Sequence, residues 1–249
     1  MYTTEIGPSG PRVVLLHGLF GQGKNWTTVA KALAGQARVT MVDLPNHGRS
    51  DWTHSVSYRE MASTLADRLS ADSSEPWTVL GHSMGGKVAM ALALLWPQLV
   101  ERLVVVDIAP VRYDRVGGFA DYVTGMQSIE LGRVQTRDEA DASLQPYVAD
   151  QVVRSFLLQN LRRDPTSDTG WRWQMNLSLL GAKLGDLGDW PDLHTAPYPG
   201  PVLWVAGARS DYITPEYGPA MRRLFPRTTA FTIKNAGHWV HSDQPEVFV

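Results

Sequence analysis

WTVLGHSMGGKVAMALALLW, residues 77–96, is the stretch of the sequence that decides the fold. An apolar run leads into Gly-x-Ser-x-Gly at 81–85, and a helix of small apolar residues follows until Pro97 stops it. A serine at the tip of such a turn has a strained backbone and an exposed hydroxyl. The helix behind it directs free N–H groups at an anion that forms there. The pattern therefore predicts that Ser83 is a nucleophile.

The composition bounds the possible classes of protein. The chain has 249 residues, of which 43% are hydrophobic and 19% charged, which predicts one α/β domain with a sizeable core. A net charge of −2 gives no electrostatic reason to expect nucleic acid or an anionic membrane as a partner. The absence of cysteine excludes disulfides and thiol catalysis. With no visible secretory signal and no apolar run of transmembrane length, we expect a cytoplasmic protein.

Apolar runs recur along the chain and alternate with helical patterns. Such alternation predicts right-handed crossovers and a mostly parallel sheet. The runs lie at 13–16, 39–42, 77–80, 103–106, 201–205 and 231–233. Ligands of such sheets bind beyond the carboxyl ends of the strands. His17, Asp43, Ser83 and Asp107 follow four of these runs, so we expect the chemistry at one edge of the sheet.

The rhythm changes between about 112 and 198, where amphipathic helical patterns replace the strands. We interpret 112–198 as a helical cap inserted into a core formed by 1–111 and 199–249, and not as an independent domain. Most aromatic residues there are expected to pack the cap onto the sheet. For an apolar substrate pocket the candidates are Phe20, Trp171 and Trp239. The final residues, QPEVFV, predict the opening turn of a helix, and we expect further residues beyond Val249.

A serine hydroxyl is a poor nucleophile at neutral pH and needs a base that takes its proton. Histidine suits this role because its pKa lies near neutrality. We expect the base to be His238, which follows the last predicted strand in a glycine-preceded loop. The other histidines have other interpretations. His54 and His194 are expected at the surface, and His241 is expected to face solvent. His17 and His47 are expected to structure their loops, and the side chain of His82 cannot readily turn back onto its neighbour Ser83.

A buried carboxylate must fix the imidazole tautomer, and two aspartates precede the histidine in the chain. Asp211 follows the strand at 201–205, but Ser210 occupies the position at which many such hydrolases carry the acid. Asp107 ends the strand at 103–106 directly, where a buried carboxylate is costly without a partner such as His238. The residues alone leave both aspartates open as the acid.

The oxyanion that forms during acyl transfer needs backbone donors near the serine. We expect the N–H of Met84, which directly follows the nucleophile, to be one donor. The N–H of Leu19, in the glycine-rich loop after the first apolar run, is expected to be the second.

Five motifs together resemble a known family: LLHGLFG at 15–21, NHG at 46–48, GHSMGGK at 81–87, VVVDIAPV at 104–111 and AGHWVH at 236–241. They are similar to the YbfF-type bacterial esterases and the related mitochondrial abhydrolases of the α/β-hydrolase superfamily, and the resemblance covers nearly the whole chain. It implies a mostly parallel sheet of eight or seven strands flanked by helices, with a helical cap after the sixth strand. In the bacterial subgroup the acid lies in a Val-Asp-Ile-Ala-Pro-type motif, which falls on Asp107, and serine stands at the position of Ser210. The chain departs from the pattern by adding Asp211.

The resemblance implies hydrolysis of short-chain esters and acyl-CoA thioesters without cofactor or metal. We therefore expect a serine carboxylic-ester hydrolase that forms an acyl-enzyme on small-molecule substrates and exists as a monomer or small homo-oligomer. Two alternatives stay open. One is a cofactor-free perhydrolase, haloperoxidase or C–C hydrolase that uses the same triad. The other is a ligand receptor that keeps the pocket and turns over slowly or not at all.

Overall fold

A seven-stranded sheet forms the centre of the structure, a computed structural model that describes residues 1–114 and 118–249. The strands are β1 (Thr3–Ile6), β2 (Arg12–Leu16), β3 (Arg38–Val42), β4 (Trp77–His82), β5 (Val100–Val106), β6 (Leu161–Arg163), β7 (Trp171–Trp173), β8 (Val202–Gly207) and β9 (Thr228–Ile233). Their order in the large sheet is β1-β3-β2-β4-β5-β8-β9, and β6 and β7 form a separate antiparallel ribbon. All neighbours in the large sheet are parallel except β1 and β3.

Helices lie between most of the strands along the chain. They are α1 (Thr27–Leu33), α2 (Tyr58–Asp72), α3 (Met84–Leu95), α4 (Phe119–Ser128), α5 (Arg137–Leu144), α6 (Gln151–Leu158), α7 (Leu177–Ala182), α8 (Leu184–Gly188), α9 (Gly218–Leu224), α10 (Val240–Asp243) and α11 (Pro245–Phe248). Short 3₁₀ turns lie at Gly23–Trp26, Pro97–Leu99 and Pro215–Tyr217. Ser57 caps the N-terminus of α2, since its side chain accepts a hydrogen bond from the N–H of Glu60.

The centre of the sheet is buried on both faces, which is why its strands are continuous apolar runs. Helix α3 packs against β4 and β5, and its residues from Met84 to Leu94 are all buried. Small residues allow this close packing because alanine and glycine let the helix approach the sheet. Trp77 and Trp204 fill the core as two of its largest fully buried side chains.

The sheet has seven strands, the smaller of the two predicted numbers. The sequence pattern does not predict β1, which pairs antiparallel with β3 at the edge of the sheet. Its residues Thr3–Ile6 are exposed or half-buried and mostly polar. An edge strand of this kind carries no apolar run, so periodicity gave no signal for it.

Residues 112–198, which we call the intervening segment, lie between β5 and β8 and contain α4 to α8 and the β6–β7 ribbon. Strands β5 and β8 are direct neighbours, with Leu103 paired to Val202, so the chain leaves the sheet and returns to the adjacent strand. The segment meets the rest of the chain through buried polar contacts. Asn160 accepts a hydrogen bond from Gln22 at 2.6 Å and donates to the carbonyl of Phe20 at 2.8 Å. The cap boundaries predicted at 112 and 198 stay predictions, and part of this segment, 115–117, lies outside the described residues.

Candidate active site

Ser83 lies at the sharp turn between β4 and α3. Its backbone has φ 52° and ψ −120°, a conformation that costs a non-glycine residue on the order of 1–3 kcal/mol. The flanking glycines are required by close approach. A Cβ on Gly81 would lie 2.2 Å from the carbonyl oxygen of Gly85, and a Cβ on Gly85 would lie 2.5 Å from that of His17. The sequence thus folds into the predicted strand–turn–helix because only glycine fits on either side of the serine.

Three side chains from distant parts of the chain form a continuous hydrogen-bonded series. The Ser83 hydroxyl lies 3.0 Å from Nε2 of His238, and Nδ1 of His238 lies 2.8 Å from Oδ2 of Asp107. The residues come from the ends of β4 and β5 and from the loop after β9. With Nδ1 donating to the carboxylate, Nε2 is the acceptor for the serine proton. This is the geometry in which a histidine acts as a general base.

Asp107 is completely buried, and its carboxylate has three donors. Besides His238, the N–H of Gly207 donates to Oδ1 at 3.0 Å, and the hydroxyl of Ser210 donates to Oδ2. Both extra donors come from β8 and the loop that follows it. They offset the cost of burying a charge and fix the carboxylate toward His238.

Asp211, the alternative acid, has a different environment. It is exposed, and no hydrogen bond joins it to His238 in the described part of the chain. The preceding Ser210 points to Asp107 instead. Ser210, at the loop position that holds the acid in many hydrolases, therefore donates its hydroxyl to Asp107, which follows the neighbouring strand β5. Of the two candidate aspartates, Asp107 is the one that contacts the histidine.

His238 is positioned by Tyr212 and His82, for which the sequence predicted no such role. The ring of Tyr212 stacks on its imidazole at a centroid distance of 3.9 Å and an angle of 20°. Nε2 of His82 donates to the backbone carbonyl of His238 at 2.7 Å. Burial holds the pKa of His82 well below its ordinary value, so this ring is neutral. Because the contact between His82 and His238 joins residues far apart in the chain, no local pattern of the sequence indicates it. The stacking of Tyr212 on His238 likewise has no local sequence pattern.

His17 and His47 structure the loop that carries Leu19, as predicted. The N–H of Leu44 donates to Nε2 of His17 at 3.0 Å, and the N–H of Phe20 donates to Nε2 of His47 at 3.2 Å. Their Nδ1 atoms lie 2.8 and 2.9 Å from backbone carbonyl oxygens of residues 18 and 45. Burial lowers the pKa of His17 to about 4 and that of His47 to about 3. Both rings are thus neutral at pH 7 and both donate and accept.

The expectation that His241 faces solvent is wrong. Its ring stacks on Trp26 at 4.2 Å and lies 5.0 Å from the ring of His82. Burial lowers its pKa to about 4. The cause is the short helix α10, which begins directly after Trp239 and turns His241 back toward the sheet. The exposed positions expected for His54 and His194 are confirmed.

The two expected oxyanion donors border the same space as Ser83. Leu19 and Met84 both line a cavity with this serine. In residues 1–114 and 118–249, neither backbone N–H donates to another protein group. Both N–H groups are therefore free to bind an oxygen atom of a ligand, and their role as an oxyanion hole stays a prediction.

Two clefts meet at Ser83, and Leu19 and Phe119 line both of them. We call the first the histidine cleft. It is lined further by His82, His238, His241, Trp26, Phe156 and Trp239. We call the second the lysine cleft. It is lined further by Tyr58, Lys87, Ile108, Tyr113, Leu187 and Tyr212.

The three predicted pocket residues differ in their positions. Trp239 lines the histidine cleft. Phe20 is fully buried and packs against Phe119, and it lines neither cleft. Trp171 also lines neither cleft, because its indole N–H donates to the carbonyl of Val134 and its ring packs beneath Arg163. For Phe20 and Trp171 the expectation is wrong. The intervening segment contributes Phe119 and Phe156 in their place, which helical spacing alone could not assign to a face.

Two features are absent from the described residues, 1–114 and 118–249. No group of three or more His, Asp or Glu side chains among them is arranged to bind a metal ion. None of the described helices combines the length and the apolar character that crossing a membrane requires.

A comparison with protein families identifies the fold. The model of the α/β-hydrolase fold matches residues 11–245. The chain belongs to the α/β-hydrolase family. The strand–turn–helix around Ser83 is the feature by which this family presents a nucleophile.

Relatives within the family extend over nearly the whole chain. The sn-1-specific diacylglycerol lipase ABHD11 of Xenopus laevis is 40% identical over 246 residues, which cover 96% of this chain and 78% of the relative. The esterase YbfF of Escherichia coli strain K12 is 32% identical, covering 94% of this chain and 88% of its own. The solved structure of a marine microorganism esterase superposes with a TM-score of 0.95 at 33% identity, covering 99% and 95% of the two chains. Like these α/β-hydrolase relatives, the protein is a hydrolase of the esterase and lipase type.

Proposed function

We propose that the protein is a serine carboxylic-ester hydrolase that acts on small-molecule esters with short to medium acyl groups. One observation carries the proposal: Ser83, His238 and Asp107 form a hydrogen-bonded series with distances of 3.0 and 2.8 Å. A strained serine, a base within hydrogen-bond distance and a buried carboxylate behind the base are the groups that acyl transfer needs.

In this proposal, the reaction has two halves. His238 takes the proton of Ser83 as the serine oxygen attacks the acyl carbon, while Asp107 holds the imidazole and stabilises its charged form. The N–H groups of Leu19 and Met84 bind the oxyanion. His238 then gives the proton to the departing alcohol, which leaves an acyl-enzyme on Ser83. Water attacks the acyl carbon in the second half, and His238 takes a proton from that water. His238 then gives this proton to the oxygen of Ser83 as the bond between that oxygen and the acyl carbon breaks, and the carboxylic acid leaves.

The intervening segment acts in this proposal as a cap that shapes the substrate space. Phe119 and Phe156 form part of the histidine cleft, and Leu187 forms part of the lysine cleft. An apolar wall beside the serine favours an acyl or alcohol group of limited size and lowers the local dielectric constant.

The names of the relatives support carboxylic esters as the substrate class. The Escherichia coli and marine proteins are named esterases, and the frog relative is named a diacylglycerol lipase. We propose oxygen esters as the main substrates and acyl-CoA thioesters as a second class, because attack by Ser83 requires only an activated acyl carbon. A pair of substrates that share one acyl group, an oxygen ester and a thioester, separates the two classes.

The test is the turnover of p-nitrophenyl acetate and butyrate by the wild type and by Ser83→Ala. Because a triad serine acts together with its base, its removal is expected to lower kcat on the order of 10⁶-fold, to the background rate. Ser70→Ala is the matched control, since Ser70 is exposed on α2, and it should keep full activity. Unchanged turnover in Ser83→Ala would refute the proposal.

Labelling by a fluorophosphonate probe separates a hydrolase from a receptor. The wild type should incorporate one equivalent at Ser83, and Ser83→Ala should incorporate none. A protein that binds esters without reacting would stay unlabelled. Peroxide-dependent halide oxidation that exceeds ester turnover would instead indicate a perhydrolase.

A further inference from the structure

A lysine side chain is buried beside the nucleophile. Lys87 is only 1% exposed, and it lines the lysine cleft together with Ser83. Its Nζ donates to the backbone carbonyls of Gly188 at 2.8 Å and Asp189 at 2.7 Å. An ammonium group has three N–H donors, so one remains after these two bonds.

The observed neighbours of this ammonium group are aromatic rings and backbone carbonyls. The rings of Tyr113 and Tyr58 lie 4.9 and 5.6 Å from Nζ. In the described part of the chain, no carboxylate lies within ion-pair distance of Lys87, and the Asp189 carboxylate faces Arg112 at 3.9 Å. Lysine is almost never fully buried unless it is paired. Burial lowers the pKa of Lys87 to about 7, and the negative charge of Asp189 opposes this shift.

The position of Lys87 relative to Ser83 indicates that a group on the substrate supplies its counter-charge. The two residues are four positions apart, and Ser83 directly precedes α3. One helical turn separates them, a rise of about 6 Å along the axis, and residues at this spacing lie on the same side of a helix. An acyl group bonded to the serine oxygen and directed into the lysine cleft therefore runs toward Nζ.

We infer that Lys87 binds a carboxylate at the far end of the acyl group, so that the enzyme prefers half-esters of short dicarboxylic acids to esters of simple fatty acids. The inference rests on the proposed function, because it assigns the lysine cleft to the acyl part of an ester. The ligand carboxylate would accept the third N–H of the ammonium group and supply its counter-charge. Such charge-assisted hydrogen bonds are about twice as strong as neutral ones.

The first test compares monoethyl glutarate with ethyl 5-methylhexanoate, in which an isopropyl group replaces the carboxylate. We expect the wild type to hydrolyse the glutarate ester with a kcat/KM about 10- to 100-fold higher. Lys87→Met should remove this preference, whereas Lys87→Arg, which keeps the positive charge, should retain most of it. A wild type that prefers the neutral ester, or a Lys87→Met variant with an unchanged ratio, would overturn the inference.

The second test is the pH dependence of the ratio of the two kcat/KM values, from which the titration of the shared base cancels. Lys87 is charged below its pKa, so the ratio should fall as the pH rises through about 7. The other titratable groups that face Nζ are Tyr58 and Tyr113, whose pKa values burial raises, and the carboxylate of Asp189. Both tyrosines thus stay neutral, and Lys87→Met should show a flat ratio. A ratio in the wild type that does not change between pH 6 and 8 would contradict the role of Lys87.

Binding to Ser83→Ala gives a readout that needs no turnover. Calorimetry should show tighter binding of monoethyl glutarate than of the isopropyl analogue, and equal affinities would overturn the inference. This comparison and the pH profile also decide the question if Lys87→Met fails to fold. If the wild type hydrolyses p-nitrophenyl butyrate without preferring the carboxylate, the role of Lys87 fails while the proposed ester hydrolysis stands.

Discussion

The carboxyl edge of the sheet and the intervening segment form opposite walls of the same two clefts, but they hold their side chains differently. At the edge, Asp107 receives three directional hydrogen bonds and His238 is held by a carboxylate, a stacked tyrosine ring and a bond to its carbonyl. In the histidine cleft the segment presents the aromatic rings of Phe119 and Phe156, which carry no polar atoms for hydrogen bonds. Chemistry requires fixed angles and distances, whereas the accommodation of a substrate requires adaptable apolar surface. Three substitutions test this division.

The largest expected effect belongs to the edge. Asp107→Asn keeps the size of the side chain but removes the charge that fixes the His238 tautomer. We expect kcat/KM for p-nitrophenyl butyrate to fall about 10⁴-fold, as in the well-studied serine triad. Asp211→Asn is the matched control, because Asp211 is exposed, and its activity should stay within about twofold of the wild type. A severe loss in Asp211→Asn alone would reverse the choice of acid.

The second effect concerns the stability of the edge and its dependence on pH. His17, His47 and His241 are neutral in the fold because burial lowers their pKa values to about 4, 3 and 4, against about 6.5 when unfolded. The unfolded chain therefore binds more protons, and stability that is present above pH 6.5 is lost as the pH falls toward these values. Each histidine contributes about 1.4 kcal/mol per pH unit to this slope.

Urea unfolding at pH 7.0, 6.0 and 5.0 measures that slope. His47→Gln, which keeps a polar side chain, should reduce it by about 1.4 kcal/mol per pH unit. His54→Gln should leave it unchanged, because His54 is exposed. If both variants keep the slope of the wild type, the buried histidines of the edge do not govern its acid sensitivity.

The smallest effect belongs to the junction between the edge and the intervening segment. Asn160 is fully buried and bonds to Gln22 and to the carbonyl of Phe20. Asn160→Ala leaves these partners unpaired, and we expect a loss of about 1–3 kcal/mol in the free energy of unfolding. Gln151→Ala, at an exposed amide of the same segment, should change it by less than about 0.5 kcal/mol. Equal losses in the two variants would show that the junction depends on general packing and not on Asn160.

The same division explains what could be predicted from the sequence. Buried parallel strands are apolar runs, so the central strands and the turn at Ser83 were readable from local patterns. The serine, the histidine and the preferred aspartate of the candidate site follow such strands and carry recognisable motifs. The edge strand β1 lacked an apolar run and was not predicted.

The misses share a physical cause. Tyr212 stacks on His238, and His82 bonds to the carbonyl of His238 across 156 positions of sequence, so neither contact has a local signature. Trp171 lies in β7, and nothing in this short strand indicates that Val134 and Arg163 are the neighbours that cover its ring. Where the outcome depends on the packing of one segment against another, the periodicity of a single segment is not informative.

The hydrogen bonds of the candidate site have a consequence for how the molecule folds. They join residues separated by 155 and 131 positions, and the pairing of β5 with β8 encloses the whole intervening segment. Contacts of such long range form slowly, because the entropy of closing the loop is lost before the contact stabilises anything. Ser83, Asp107 and His238 are therefore present in the chain well before their side chains come into contact. In the reaction that we propose, a partly folded molecule therefore carries an unactivated serine, and labelling of Ser83 by a fluorophosphonate probe would report complete folding.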